Sequence, residues 1–203
     1  MRYIFFTMLF YFVMTSQVFA QTHSSTGSGK SSAMVGTKQA QAKSVVEKNR
    51  EELKMRLSGV KNVNKRNLVD RVDVQIQRLN ITMQNNLSET IDKIEKVLAG
   101  VSKRAATVVE KGWNISSVKI AIVDAEKAIV ASRAALQAQS GKVYTISVTT
   151  EETLKFEAKK TRELFHADLK VVQDVVKQAH EAVQKSVIAL GQIDKGSNNI
   201  ITK

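Results

Sequence analysis

Leu87, Ile91, Ile94, Leu98, Val101, Ala105 and Val108 succeed one another at alternating steps of four and three residues. That spacing lays a narrow apolar stripe along one side of a helix and calls for a partner helix to cover it. Upstream, Val72, Ile76, Leu79 and Met83 keep the same rhythm, and one extra four-residue step carries it to Leu87. A single step of this kind relaxes a supercoil locally without ending the helix. The rhythm returns in Phe165, Leu169, Val172, Val176, Ala179, Val183, Val187 and Leu190, with one four-step near its end. Between these stretches lie Val118, Ile122, Ala125, Ile129 and Leu136, in a segment whose many alanines make it slim.

The breaks between these stretches are legible. Lys111-Gly112 reads as a helix end, with Gly112 suited to the left-handed position past the last turn, and Asn114 or Ser116 can cap the second helix. Ser140-Gly141 closes that middle helix, residues 142–148 read as an extended connection, and Thr149-x-x-Glu152 has the form of a capping box. Helices are therefore predicted over about 67–111, 116–139 and 151–191, within a bundle spanning 67–192 and ending in a polar tail, 193–203. Upstream, residues 40–66 form a basic helical arm and a break, marked by Ser58-Gly59 and by Asn62, Asn64 and Asn67. Short connections favour antiparallel neighbours. The expected fold is all-α: an elongated antiparallel three-helix coiled-coil bundle with an N-terminal helical arm standing apart from it.

Residues 1–20 read as a secretory signal peptide. Arg2 begins it, an apolar run of about a dozen residues comes next, and Val18-Phe19-Ala20 offers small residues for cleavage before Gln21. The run is short of the roughly 20 residues a membrane span needs, so no transmembrane segment is expected after cleavage. Residues 21–39, rich in Ser, Thr, Gly and Lys, are expected to be a flexible leader. The absence of proline suits long helices. The absence of cysteine removes disulfides, thiolate chemistry and lipid-modified cysteine.

Val72-Asp73-Val74-Gln75-Ile76-Gln77-Arg78-Leu79, Lys111-Gly112-Trp113-Asn114-Ile115-Ser116 and Ala179-His180-Glu181-Ala182-Val183 together give a recognisable profile. Over about 70–190 the chain resembles secreted three-helix, coiled-coil proteins of candidate-phyla bacteria. The first helix is longer here than in that pattern. The resemblance implies a fold and export, and it implies no activity, cofactor or site residue.

Little in the sequence points to chemistry. Gly27-x-Gly29-Lys30-Ser31 lacks the spacing and the preceding strand of a phosphate loop. His166 and His180 lie fourteen residues apart, about 20 Å along a helix, too far to share a metal. Three matches to the glycosylation sequon begin at Asn80, Asn86 and Asn114, and the first two fall inside a predicted helix. No catalytic residue, cofactor or metal is expected, and the reading is non-enzymatic. Exposed aromatic platforms for single-stranded nucleic acid are lacking, so no nucleic-acid partner is expected.

Charge changes the picture more. The chain carries a formal +12, and between Lys30 and Arg71 eleven Lys or Arg face four Asp or Glu. Lys61, Lys65, Arg66 and Arg71 are the candidate contacts to an anionic surface, lipid or wall polymer. The packing seam is assigned to Leu87, Ile91, Ile94, Leu98, Val101 and Val108. Val74, Ile81, Val97 and Val109 lie off it and are expected to form a second face for self-association or a protein partner. The expectation is an exported structural or interaction protein of the cell envelope, periplasmic or cell-surface. The alternative is a periplasmic holdase chaperone, since trimeric envelope chaperones are also small, basic and coiled-coil.

Overall fold

The computed structural model describes the backbone of residues 28–198 and the side chains of 40–193. The expected signal segment, the first part of the leader and the end of the tail lie outside the described residues. Four helices make up the described chain: α1 (Ser28–Ser58), α2 (Val63–Glu110), α3 (Ser116–Ser140) and α4 (Leu154–Asn198). No strand occurs among the described residues, and 142–148 is an extended connection. The protein is an all-helical bundle.

Three apolar clusters fix its arrangement. Val101, Ala105 and Val108 at the end of α2 meet Ile115 and Val118 at the start of α3, and Leu190 near the end of α4. At the opposite end Val69 of α2 meets Leu154 and Ala158 of α4. The middle is filled by Ile91, Ile94, Ala125, Ile129, Phe165, Leu169 and Val172. Thus α2 and α4 run the same way and α3 returns between them. At 1.5 Å per residue, 48 residues make α2 about 72 Å long and 45 make α4 about 68 Å.

The helix ends reflect local chemistry. Asn62 caps α2 by accepting from the backbone N–H of Lys65 at 3.1 Å. At the far end Gly112 has φ +80°, and the N–H groups of Gly112 and Trp113 donate to the carbonyls of Val109 and Val108. This is the two-bond cap that a left-handed glycine allows, and it turns the chain toward α3. Before α3, Asn114 accepts from both the N–H and the hydroxyl of Ser116. The cap of α4 sits later than the expected Thr149 box. Thr153 bonds with Thr150 through its hydroxyl, and the helix starts at Leu154.

Two expectations about the N-terminal region need correction. The helix begins at Ser28, inside the expected leader, because Ala33, Met34, Lys38, Gln39 and Ala40 are good helix formers and no proline interrupts them. Nor does this helix stand apart as an arm. Leu53 and Leu57 are buried against Val69, Ile146, Leu154 and Ala158. Asn49 donates to the Thr145 hydroxyl at 3.0 Å. The break is only residues 59–62, so α1 folds straight back along α2.

Candidate functional site, a polar layer and a basic end

The seam residues Leu87, Ile91, Ile94, Leu98, Val101, Ala105 and Val108 are all buried. Below Leu87 the buried line does not pass through Met83, Leu79 and Val72. It continues through Gln84, Asn80, Ile76, Asp73 and Val69, leaving Leu79 37% exposed. In α4 the buried residue near the end is Ser186, and Val187 is 44% exposed. Ser186 donates to the Val183 carbonyl at 2.7 Å, a local bond that lets a hydroxyl occupy the seam. Tracking apolar residues alone shifted the register at both places.

The polar residues in these seam positions form a connected layer. Gln84 and Gln139 each donate through Nε2 to Asn80 Oδ1, at 2.9 and 3.2 Å. Gln139 Nε2 also donates to the Tyr144 hydroxyl at 2.9 Å, and that hydroxyl donates to Asp168 Oδ2 at 2.9 Å. Lys142 closes the chain on Asp168 Oδ1 at 2.7 Å. The Tyr144 ring meets Phe165 edge-on with centroids 5.3 Å apart. At this level both long helices take two four-residue steps in succession, 76-80-84 in α2 and 161-165-169 in α4. The double step makes room for Tyr144, which the α3–α4 connection inserts into the core.

Electrostatics track burial. Burial pushes the Tyr144 hydroxyl well above the ordinary phenol range, and the Asp168 carboxylate adds to this. For Asp168, burial is outweighed by the Lys142 and Tyr144 hydrogen bonds, which hold its carboxyl below the usual range. Asp73 goes the other way. Burial raises it, against the pull of Arg50, whose Nε lies 4.0 Å from Oδ2, and of Gln77. A second buried charge, Arg133 of α3, joins α3 to α2 by binding Glu95 through Nε and Nη2 and Asp92 through Nη2.

Beside the polar layer lies a crevice of about 300 Å³ between α1 and the bundle. Ala42, Val46 and Ile81 form its apolar wall, Asn80 and Gln84 its polar one, and Lys43, Glu47, Arg50 and Lys142 also line it. Among the described residues no group of His, Cys, Asp or Glu could hold a metal ion, and no helix is long and apolar enough to cross a membrane. His166 and His180 are exposed. Ser140 also lines the crevice, and its hydroxyl donates to the Gln137 carbonyl at 2.8 Å.

The candidate anionic-surface residues sit at the end of the molecule where α1 meets α2. Lys61 and Arg71 are exposed, and Lys65 and Arg66 are half-buried. One of the four has its charge engaged within the chain: Lys65 Nζ donates to the Glu151 carbonyl at 3.2 Å and lies 3.9 Å from the Glu151 carboxylate, whereas only the backbone N–H of Lys61 donates to Glu151. The fold adds what the sequence separated. Leu154 and Ala158 pack against Leu53, Leu57 and Val69, so Lys155, Lys159, Lys160 and Arg162 at the start of α4 come to the same end, together with Glu151, Glu152, Glu157 and Glu163. The four off-seam residues Val74, Ile81, Val97 and Val109 do not make one face. Ile81 lines the crevice against α1, Val97 a groove shared by α2 and α4, and Val109 a groove shared by α2 and α3.

Comparison with known proteins gives no match to a family model, to a curated protein or to a solved structure.

Proposed function

We propose that this chain is an exported, non-enzymatic structural or interaction protein of the cell envelope, held at an anionic surface by the basic end of its bundle. The architecture that serves this role is an elongated, coiled-coil-like three-helix rod with α1 folded onto its base. One observation carries the reading: the packing of Leu154 and Ala158 on Leu53, Leu57 and Val69 gathers the basic residues of α2 and α4 at one end. Such a gathering favours a surface over a point ligand, because each Lys or Arg near an anionic layer contributes about 1 kcal/mol independently of its neighbours.

The test uses basic residues that are not already engaged within the chain. The variant Arg66→Gln, Arg71→Gln, Lys155→Gln, Lys160→Gln removes four charges, roughly 4 kcal/mol at low salt by the same measure. Co-sedimentation of the chain from Gln21 onward with vesicles rich in phosphatidylglycerol, with neutral vesicles and with purified wall polymer distinguishes the surfaces. Binding to an anionic surface that falls as salt shortens the Debye length, and is lost in the variant, supports the reading. Equal binding by parent and variant across the salt series refutes it. A holdase chaperone is the competing reading, motivated by the exposed Val97 and Val187 beside the α2–α4 groove. It requires stoichiometric suppression of aggregation of an unfolded outer-membrane protein.

A further inference from the structure

The end of the bundle where α1 turns into α2 and α4 begins carries apolar side chains as well as charge. Met55 of α1, Val63 of α2 and Phe156 of α4 are 67%, 52% and 64% exposed. Met55 lies three residues before the end of α1, Val63 is the first residue of α2, and Phe156 is two residues into α4. All three therefore stand within about 5 Å of a helix end. The two turns are tied together there, because the Lys61 N–H and Lys65 Nζ both reach Glu151. The core of this end is made by Leu53, Leu57, Val60 and Leu154. Met55 and Phe156 are two residues, about 200°, away from its leucines, so they ring the end from the outer side of their helices. Phe165, nine residues further on, shows the contrast at 1% exposed. Isolated apolar side chains on a surface are ordinary, and these three are singled out by their company. Over 54–66 and 149–160 eight Lys or Arg stand with only Glu151, Glu152 and Glu157, and Glu151 is already beside Lys65.

We propose that this end inserts shallowly into an anionic phospholipid bilayer, with Phe156, Met55 and Val63 entering the headgroup layer and the surrounding Lys and Arg side chains binding the phosphates. The proposal rests on the reading that the basic end meets an anionic surface, and it narrows that surface to lipid. Charge alone does not separate the two candidate surfaces. A wall polymer offers anions but no apolar layer, so an exposed phenylalanine and methionine gain nothing from it, whereas a bilayer takes up both. Depth agrees with this. Interfacial apolar side chains are buried roughly 5–10 Å into the boundary between headgroups and acyl chains, which side chains at a helix end reach without submerging the rod. Among the described residues no helix is long and apolar enough to cross a membrane, so the contact is interfacial. Lys155, Lys159 and Lys160 are exposed around Phe156. Their apolar stems follow the ring inward while their ammonium groups stay at the phosphates.

The chain has no cysteine, so a single introduced thiol places a fluorophore at one chosen position. The chain from Gln21 onward carries nitrobenzoxadiazole at Met55→Cys, at Phe156→Cys or, as a control, at Ala167→Cys, an exposed position about 17 Å further along α4. With vesicles rich in phosphatidylglycerol, emission from the first two should shift to the blue and be quenched by lipids bearing a nitroxide high in the acyl chain. Emission from the control should do neither. Met55→Ser with Phe156→Ser should weaken binding to these vesicles about tenfold or more, since binding follows the apolar area inserted. Binding to purified wall polymer and the thermal midpoint should not change, because both side chains are exposed. Equal, salt-sensitive vesicle binding by parent and serine variant, with the fluorophores still in water, would overturn the insertion and leave the electrostatic reading standing. Binding to wall polymer without binding to vesicles would do the same. Absence of binding to either surface would overturn the reading itself, and the insertion with it.

Discussion

Gln139→Leu, in the middle of the polar layer, is expected to stabilise the protein. Gln139 is 1% exposed, and its Nε2 serves both Asn80 and Tyr144, but its Oε1 is buried with no hydrogen-bond partner. Removing the amide forfeits two hydrogen bonds worth about 0.5–1.5 kcal/mol each. Neither partner is stranded: Asn80 Oδ1 still accepts from Gln84, and the Tyr144 hydroxyl still donates to Asp168. Against that loss, an unsatisfied buried acceptor, costing about 1–3 kcal/mol, disappears. Leucine has a similar volume, and burying it contributes about 1.5–3 kcal/mol. The balance is a gain of about 2 kcal/mol, seen as a rise of roughly 4–8 °C in thermal midpoint for a chain of this size. Gln139→Ala should move the other way, by about 2 kcal/mol, since it keeps the loss and adds a cavity. Urea titration monitored by circular dichroism measures both, with unchanged slopes confirming that the same surface unfolds. If the leucine variant loses as much stability as the alanine variant, the amide is needed to hold the layer in register and the pairwise accounting is wrong.

The geometry fixes three further outcomes. Val183→Asp should cost several kcal/mol by placing a charge at a 3% exposed position, whereas Val187→Asp, 44% exposed, should be nearly silent in the same urea titration; equal effects would reject the observed register of α4. Leu57→Ala, at 2% exposure, should cost about 2–5 kcal/mol in the docking of α1, read as faster amide exchange over 43–58 with α3 unchanged; unchanged exchange in α1 would mean that it stands free. Asp73 has a raised folded-state pKa, so it loses its proton more readily in the unfolded chain, and its contribution is fully present below the ordinary carboxylate range and is lost as pH rises through the folded value. Asp73→Asn should therefore gain on the parent in urea stability between pH 3 and pH 7, and a gap that narrows as pH rises would contradict the shift.

The helical class is written in the chain itself, because an apolar rhythm of three and four residues admits only a helix with one face buried. The seam from Leu87 to Val108 and the left-handed Gly112 turn were legible for the same reason: the residue types admit few alternatives. Packing governed the rest, where side-chain type and environment part company. Gln84, Asn80 and Ser186 occupy core positions that polarity argues against, since their hydrogen bonds are satisfied by one another, by Gln139 far along the chain or by the helix's own carbonyls. Carrying the Leu87 rhythm unchanged through its polar positions would have found Gln84 and Asn80, and the same extension in α3 reaches Gln139. No local rule could have placed α1 against the bundle, because its weak apolar face becomes a docking surface only when the connection around Ile146 and the start of α4 arrive beside it. The gathering of Lys155, Lys160 and Arg162 near Arg66 and Arg71 has the same origin: about ninety residues of chain separate them, and the parallel course of α2 and α4 brings their starts to one end.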